Sequence, residues 1–338
     1  MPSVLHDLRF ARRLLVKSPV FTAVVVLTLA LGIGLNTAVF SAIDAMLLRP
    51  LPGVRAPDEI VQLYRKWPGM DYGSSSVPHY LDVRRRSEDA FSGVASWKFL
   101  PMNLAADGRT QRVFGAMVSA NYFSVLGVNA AKGRLFLPEE DEGRGAHPVA
   151  VASYPAWQGL FGGDPQIVGK QVVLNGQSYS IIGVAPRGVA GVMPIVTPAL
   201  FVPLMQWDHL QPGNTGGFEQ RGNNTMSAIA RLKPGVTVNA ANERMKNLVA
   251  ELRAEYPAAY ENNSITLVRQ ADAGLHPMVR ASQLGLSSVV MAVVMILLLV
   301  ACVNVANLFL ARARDRAREM AIRLSLGALR GALIRELL

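Results

Sequence analysis

With 338 residues, 51% of them hydrophobic, only 17% charged and a mean hydropathy of +0.25, the chain is too apolar for an ordinary soluble globule. The formal net charge of +10 would suit nucleic acid, but the basic residues gather beside the longest apolar runs rather than along one aromatic-rich face, which excludes a nucleic-acid partner and points to membrane topology. The single cysteine, Cys302, excludes an internal disulfide framework, and its apolar neighbours suit packing rather than reactivity.

Residues 1–19 contain "LHDLRFARRLLVKSP", in which Leu5, Leu8 and Leu15 alternate with basic residues. This predicts an amphipathic helix on the inner leaflet, in contact with membrane lipids and ended by Pro19. Val20 to Leu48 follows with one charge, Asp44. As a helix it would reach about 43 Å, more than the roughly 30 Å hydrocarbon core. It is also longer than a signal-peptide core, so an uncleaved anchor is expected rather than cleavage after Ser41. Ala30, Gly34, Ala38 and Ala42 fall four apart on one face of this span, a ridge that lets another helix approach closely. Asn36 or Thr37 would add an interhelical hydrogen bond. The ridge suits the second span and a partner subunit equally well.

Residues 49–283 change to short apolar alternations broken by Gly and Pro, the pattern of an α+β domain. Strands are expected at Glu59–Arg65, near Val94–Leu104 and Arg112–Val118, in "TMSAIARL" and in "SITLVRQ". A helix is expected over Val77–Phe91, with Tyr80, Leu81 and Val83 inward. A second helix follows Pro234-Gly235, its stripe being Met245, Leu248, Val249 and Leu252, and Pro257 stops it. The two ends, about 49–119 and 226–283, read as β-α-β-like units of one lobe, and about 120–225 as a second, mostly β lobe.

"GGDPQIVGKQ" (Gly162–Gln171) looks at first like a phosphate-binding loop. The pattern needs a glycine where Asp164 stands and a hydroxyl where Gln171 stands. "KQVVLNG" and "SYSIIGV" alternate around Asn175-Gly176 instead, which is a hairpin signal. No Walker motif occurs, so ATP hydrolysis and a bound nucleotide cofactor are not expected of this chain. The histidines, His6, His79, His147, His209 and His276, match no ligand spacing and are expected in solvent or turns. Glu139, Glu140, Asp141 and Glu142 lack calcium-loop spacing and are expected as a solvated acidic loop. Asp208 and Glu219 lie in a Gly-rich stretch without any nucleophile–base pattern, so no catalytic or metal residue is nominated.

Leu284 to Ala311 is a second uncharged apolar run, with Asn304 and Asn307 on one face; amides in lipid need partners, so this span too should face other helices. Arg9, Arg12, Arg13 and Lys17 precede the first span, and Arg312, Arg314, Arg316 and Arg318 follow the second. The positive-inside tendency then places both ends in the cytoplasm and residues 49–283 outside. Residues 312–338 carry a helical small-residue stripe opposite arginines, interrupted at Gly327.

"NVANLFLARARDRAREMAIRLSLGALR" resembles the segment after a span in MacB/FtsX-type ABC transporter permeases, with Asn304, Asn307, Leu308, Leu310, Ala311, Arg312, Arg316, Glu319, Ala321, Arg323, Leu326, Gly327, Ala328 and Arg330 at matching positions. Ser325 departs from the usual alanine. "LTLALGIGLNTAVFSAIDAMLLRPLP", "NYFSVLGVNAAKGRLF", the hairpin segment and "FVPL" resemble the family's first span and outer core. The resemblance implies an α+β membrane protein, two transmembrane helices flanking a two-lobed mixed α/β extracytoplasmic domain of MacB periplasmic-core type. It further implies a bacterial inner-membrane permease that transmits ATPase-driven motion outward. Its partners would be a cytoplasmic ABC ATPase, a second permease unit and an extracytoplasmic adaptor, with Glu319, Arg323, Gly327 and Ala328 at the ATPase contact. The family has four spans and this sequence shows two, so a fragment, a truncation or a half supplied elsewhere is expected. The alternative is a membrane-anchored binding or sensor domain without an ATPase.

Overall fold

The computed structural model describes residues 19–43, 53–189, 197–273 and 276–325. The amphipathic helix expected over 1–19 lies, but for Pro19, outside them. The chain divides into two compact units, one built from its two long helices and one spanning Ala45–Ala281.

The long helices are α1 (Pro19–Ile43) and a 49-residue helix at Pro277–Ser325, here α4. In the larger unit the strands are β1 (Ile60–Trp67), β2 (Met70–Gly73), β3 (Phe91–Ala106), β4 (Arg109–Val118), β5 (Lys132–Gly133), β6 (Val149–Ala152), β7 (Gln171–Leu174), β8 (Gln177–Val184), β9 (Leu200–Pro203), β10 (Ser227–Leu232) and β11 (Ser264–Arg269). Two longer helices, α2 (Val77–Arg86) and α3 (Val238–Glu255), lie among them.

The 16-residue β3 organises the sheet. Its first half, Phe91–Trp97, pairs with β10, and β10 leads on to β1 and β11, giving an antiparallel run. Its second half, Trp97–Ala106, pairs with β4. From β4 the ladder continues through β9, β6, β8 and β7 and returns to β3 at Leu104 and Ala105, closing a ring of strands. The two lobes expected from the sequence therefore share one strand and one continuous sheet.

Strand periodicity puts alternate residues on opposite faces, and here both faces are covered. Val61, Leu63, Ala228, Ala230 and Met117 enter one core with Met245, Leu248 and Leu252 of α3. Ile60, Ile229, Ala116 and Val118 enter a second with Phe123 and Phe201. The stripe read on α3 is buried as expected, and Thr237 caps that helix by accepting from the Ala240 amide at 3.2 Å. Ser76 caps α2 by accepting from the His79 amide, with Pro78 in the first turn. Helix α2 stops at Arg86, five residues short of the expected end. The Ser87 hydroxyl turns back onto the Val83 carbonyl, and the Ser87 carbonyl accepts from the Ala90 and Phe91 amides, which start β3. The hairpin is present: Asn175 and Gly176 have φ of 49° and 89°, as its two-residue turn requires.

A buried polar cluster joins α2 to β1 and the loop before β10. Asp82 is 1% exposed and accepts from Arg221 Nη1 at 2.6 Å. Arg65 donates to Asn224 Oδ1 at 2.7 Å and to the Ala259 carbonyl at 3.0 Å, and it lies over the Tyr260 ring. Tyr260 Oη is hydrogen-bonded to His79 Nδ1 at 2.7 Å and also accepts from Arg221 at 3.5 Å. The solvent or turn position expected for His79 is thus corrected: it is 3% exposed in the core. Desolvation, reinforced by Arg65 and Arg221, lowers its pKa to about 3.

Two outcomes follow for the full chain in uncharged detergent. Arg221→Ala leaves the buried Asp82 carboxylate only the exposed Arg85 as an ion-pair partner and should cost up to about 3–5 kcal/mol in urea unfolding. His79 is neutral in the fold but protonates near pH 6.5 when unfolded, so the unfolded state binds more protons between pH 3 and 6.5. Stability should accordingly fall as pH drops through that window, by up to about 1.4 kcal/mol per pH unit from this group. His79→Gln should remove that part of the slope, and an unchanged slope contradicts the assignment.

Candidate functional site

Within the helical unit, the 20-residue window Thr22–Ser41 has a mean hydropathy of 2.2 and the 30-residue window Gly285–Arg314 one of 3.0. Both helices are long and apolar enough to cross a bilayer by length and composition. Their contact is antiparallel. Thr22, Val25, Leu29, Gly32, Asn36 and Val39 form a half-buried row on α1, spaced alternately three and four apart, with Thr28 half-buried beside it. On α4 the matching row is Met291, Val294, Leu298, Ala301, Val305 and Leu308. A Cβ on Gly32 would stand 3.4 Å from Ala301 Cβ and 3.5 Å from Leu298 Cδ1. Asn36 Nδ2 donates to its own Gly32 carbonyl at 3.1 Å and across to the Val294 carbonyl at 3.5 Å. The seam thus has the alternating spacing of left-handed helix packing, with a glycine where the backbones come closest.

The structure places the expected ridge elsewhere. Ala30, Gly34 and Ala38 are exposed, and a Cβ on Gly34 would meet nothing within 4 Å. They lie two residues, or about 200°, from Gly32 and Asn36, so the reading in which this ridge packs α1 on α4 is corrected. The side chain of Ala42 is outside those described. Asn304 and Asn307 are exposed, off the seam. Thr37 donates to the Ile33 carbonyl within its own helix, leaving Asn36 as the interhelical donor. Glu319 and Arg323 lie on α4, which continues to Ser325, but their side chains are outside those described. Gly327 and Ala328 lie outside the described residues altogether.

In the larger unit the charged groups seen in sequence act as ties. The acidic run is solvated only in part: Glu139 and Glu142 are exposed, as expected, and Glu140 and Asp141 are not. Glu140 is buried, pairs with Arg134 at 2.8 Å and accepts from the Leu137 amide, while Asp141 accepts from Arg84 at 2.6 Å and the Ala120 amide at 2.8 Å. Asp208 and Glu219 converge on Arg144, which also donates to the Thr215 carbonyl and lies over the Phe218 ring. Nothing in the sequence linked Arg144 to residues 64 and 75 positions away. His276 is packed edge-on against Tyr64 and Tyr72, and burial lowers its pKa. In "GGDPQIVGKQ", Gly162, Gly163 and Gly169 take positive φ in turns and Lys170 pairs with Asp107 at 2.8 Å. Among the described residues no group of three or more His, Cys, Asp or Glu is arranged to hold a metal ion.

The family described as the MacB-like periplasmic core domain matches residues 22–248, well over half of the chain. The chain belongs to that family. The resemblance to MacB/FtsX-like ABC transporter permeases, read from the motifs, is thereby borne out. The macrolide export ATP-binding/permease protein MacB of Campylobacter jejuni subsp. jejuni serotype O:23/36 (strain 81-176) is 24% identical over 241 residues, covering 71% of this chain and 33% of that protein. A second Campylobacter jejuni strain, of serotype O:2, has a MacB matching to the same extent. The chain therefore spans about a third of the length of the curated relatives it matches. Among solved structures, the periplasmic region of MacB from Actinobacillus actinomycetemcomitans superposes with a TM-score of 0.47 at 14% identity, covering 66% of this chain and 93% of that one. The extracellular domain of the transporter YknZ from Gram-positive bacteria gives 0.44 at 14% identity, over 62% and 99%.

The MacB-like chain's helix seam makes a direct prediction. With Cys302 replaced by serine, the pair Asn36→Cys and Val294→Cys should cross-link under mild oxidation. Adding Gly32→Leu should cut the yield several-fold by separating the backbones, whereas Gly34→Leu should leave it unchanged.

Proposed function

We propose that this chain is the permease part of a MacB/FtsX-type ABC system, set in the bacterial inner membrane with both ends cytoplasmic and the Ala45–Ala281 unit outside. The observation that supports this reading best is α4. A single helix of 49 residues, about 73 Å long, carries the apolar window and then the basic residues that follow it. Such an element can pass a displacement at one end to the other without unfolding. In this proposal a cytoplasmic ABC ATPase binds around Glu319, Arg323, Gly327 and Ala328, and its cycle moves α4 and the outer unit. A second permease unit would pack on the exposed ridge of Ala30, Gly34 and Ala38, and an extracytoplasmic adaptor would meet the outer unit. The work done is mechanical, for export or another envelope process, and ATP chemistry belongs to the partner. The names of the Campylobacter relatives, which join ATP-binding and permease functions, support the pairing.

Two measurements test it. Single cysteines at Asp107 and Arg318, in a Cys302→Ser background, should label with a membrane-impermeant maleimide from the outside and the inside respectively; the reverse pattern overturns the topology. Gly327→Pro should abolish stimulation of the cognate ATPase while membrane insertion persists. Unchanged stimulation and co-purification would sink the coupling assignment and favour a membrane-anchored sensor.

A further inference from the structure

An open groove of about 480 Å³ lies where the β7–β8 hairpin tip, the exposed face of β3 and β4, and the segment after β9 meet. This falls within the roughly 300–1,000 Å³ of small-molecule sites. Its walls are fixed from both sides. At the hairpin, the Asn103 amide donates to Asn175 Oδ1 at 2.8 Å and the Asn175 amide returns a bond to the Asn103 carbonyl at 3.0 Å. Opposite, the segment carrying His209 and Pro212 is held by Arg144 through Asp208 and Glu219, by Lys98 Nζ on Gln211 Oε1 at 2.8 Å, and by Trp207 Nε1 on the Asn214 carbonyl at 2.7 Å.

The chemistry of the lining is one-sided. Among the described residues no carboxylate lines the groove, and the neighbouring Asp208 is bound to Arg144. Arg112, which stands opposite Asn103 in the β3–β4 register, makes no ion pair or hydrogen bond among the described residues. Arg144, Arg221, Arg231 and Arg244, by contrast, each grip a carboxylate. His209 Nδ1 is 3.1 Å from the Gln206 side-chain amide, a contact that helps to hold the imidazole at the groove. Two residues along β4, and so on the same face, Phe114 is 60% exposed opposite Pro101. The groove thus offers one free guanidinium, side-chain amides and an imidazole, with an apolar ring beside them.

We propose that this groove binds a small acidic saccharide, one or two polyhydroxylated rings carrying a carboxylate or phosphate. Arg112 takes the anion, Asn103, Asn175 and His209 take hydroxyls, and Pro101, Pro212 and Phe114 meet the C–H face of the ring. Guanidinium is the group suited to a planar or tetrahedral oxyanion. Neither membrane topology nor coupling to an ATPase enters this assignment, so it stands or falls separately from the permease reading.

Isothermal titration of the full chain in uncharged detergent, with glucuronic acid, glucose 1-phosphate and glucose as probes, tests it. The two acids should bind saturably and more weakly at high salt, and glucose at least about tenfold more weakly than either. Arg112→Gln should weaken the acids by about tenfold or more with an unchanged unfolding midpoint. Arg109→Gln, on the same strand outside the groove, should change nothing. Repeating the titration in nanodiscs with and without a glucuronosyl diacylglycerol separates the sources: competition by the lipid identifies a lipid-linked sugar, and its absence a free one. Lack of saturable binding by both acids, equal binding of glucose, or affinity indifferent to Arg112→Gln overturns the proposal.

Discussion

The larger unit depends on the register of β3. Because Phe91–Trp97 pairs with β10 and Trp97–Ala106 with β4, one strand sets which residues face each core in both halves of the sheet. A slip of one residue would turn Val94, Leu100, Met102 and Leu104 out of their core and bring Pro101 and Asn103 in. The closing contact at Leu104 and Ala105 with β7 works against such a slip, since the hairpin tip at Asn175 is itself bonded to Asn103. Register, ring closure and the wall of the groove are therefore one constraint.

Around that strand two ion pairs with a buried carboxylate tie segments together, Asp82 to Arg221 far along the chain and Glu140 to the nearby Arg134. Taking the Asp82 and Glu140 carboxylates out of water costs free energy that the pairing offsets only when further donors are satisfied. Each pair has such donors, from the Leu137 amide at Glu140 and from Arg85 at Asp82. These ties hold loops where hydrophobic burial is thin. They contribute geometry more than net stability, and Arg144 does the same for the segment that walls the groove.

The helical unit follows a different physics. In the bilayer setting proposed for these two apolar helices, burial would give little drive, so close backbone approach and a hydrogen bond would decide the contact. Gly32 and Asn36 supply both toward α4, and this leaves Ala30, Gly34 and Ala38 on another face. A small-residue ridge marks where a helix can be approached, not by which neighbour.

Much was legible from local pattern. The two apolar spans, the stripe of Met245, Leu248, Val249 and Leu252, the Asn175-Gly176 hairpin and the family motifs of the tail all rest on spacing within a few residues. Periodicity and turn chemistry act over that range, so the sequence by itself determined the elements and the family. Tertiary structure alone decided that the two expected lobes share β3, because strand order depends on contacts 100 or more residues apart, as between β3 and β10. It also decided that His79 and Glu140 are core residues, since charge and polarity in a sequence predict solvent; the partner of His79, Tyr260, is distant in the chain, and the nearby Arg134 is only one of several cations that Glu140 could have met. The same holds for the groove: Asn103, Arg112, Asn175 and His209 carry no common spacing, and only the folded sheet brings an unpaired guanidinium beside them.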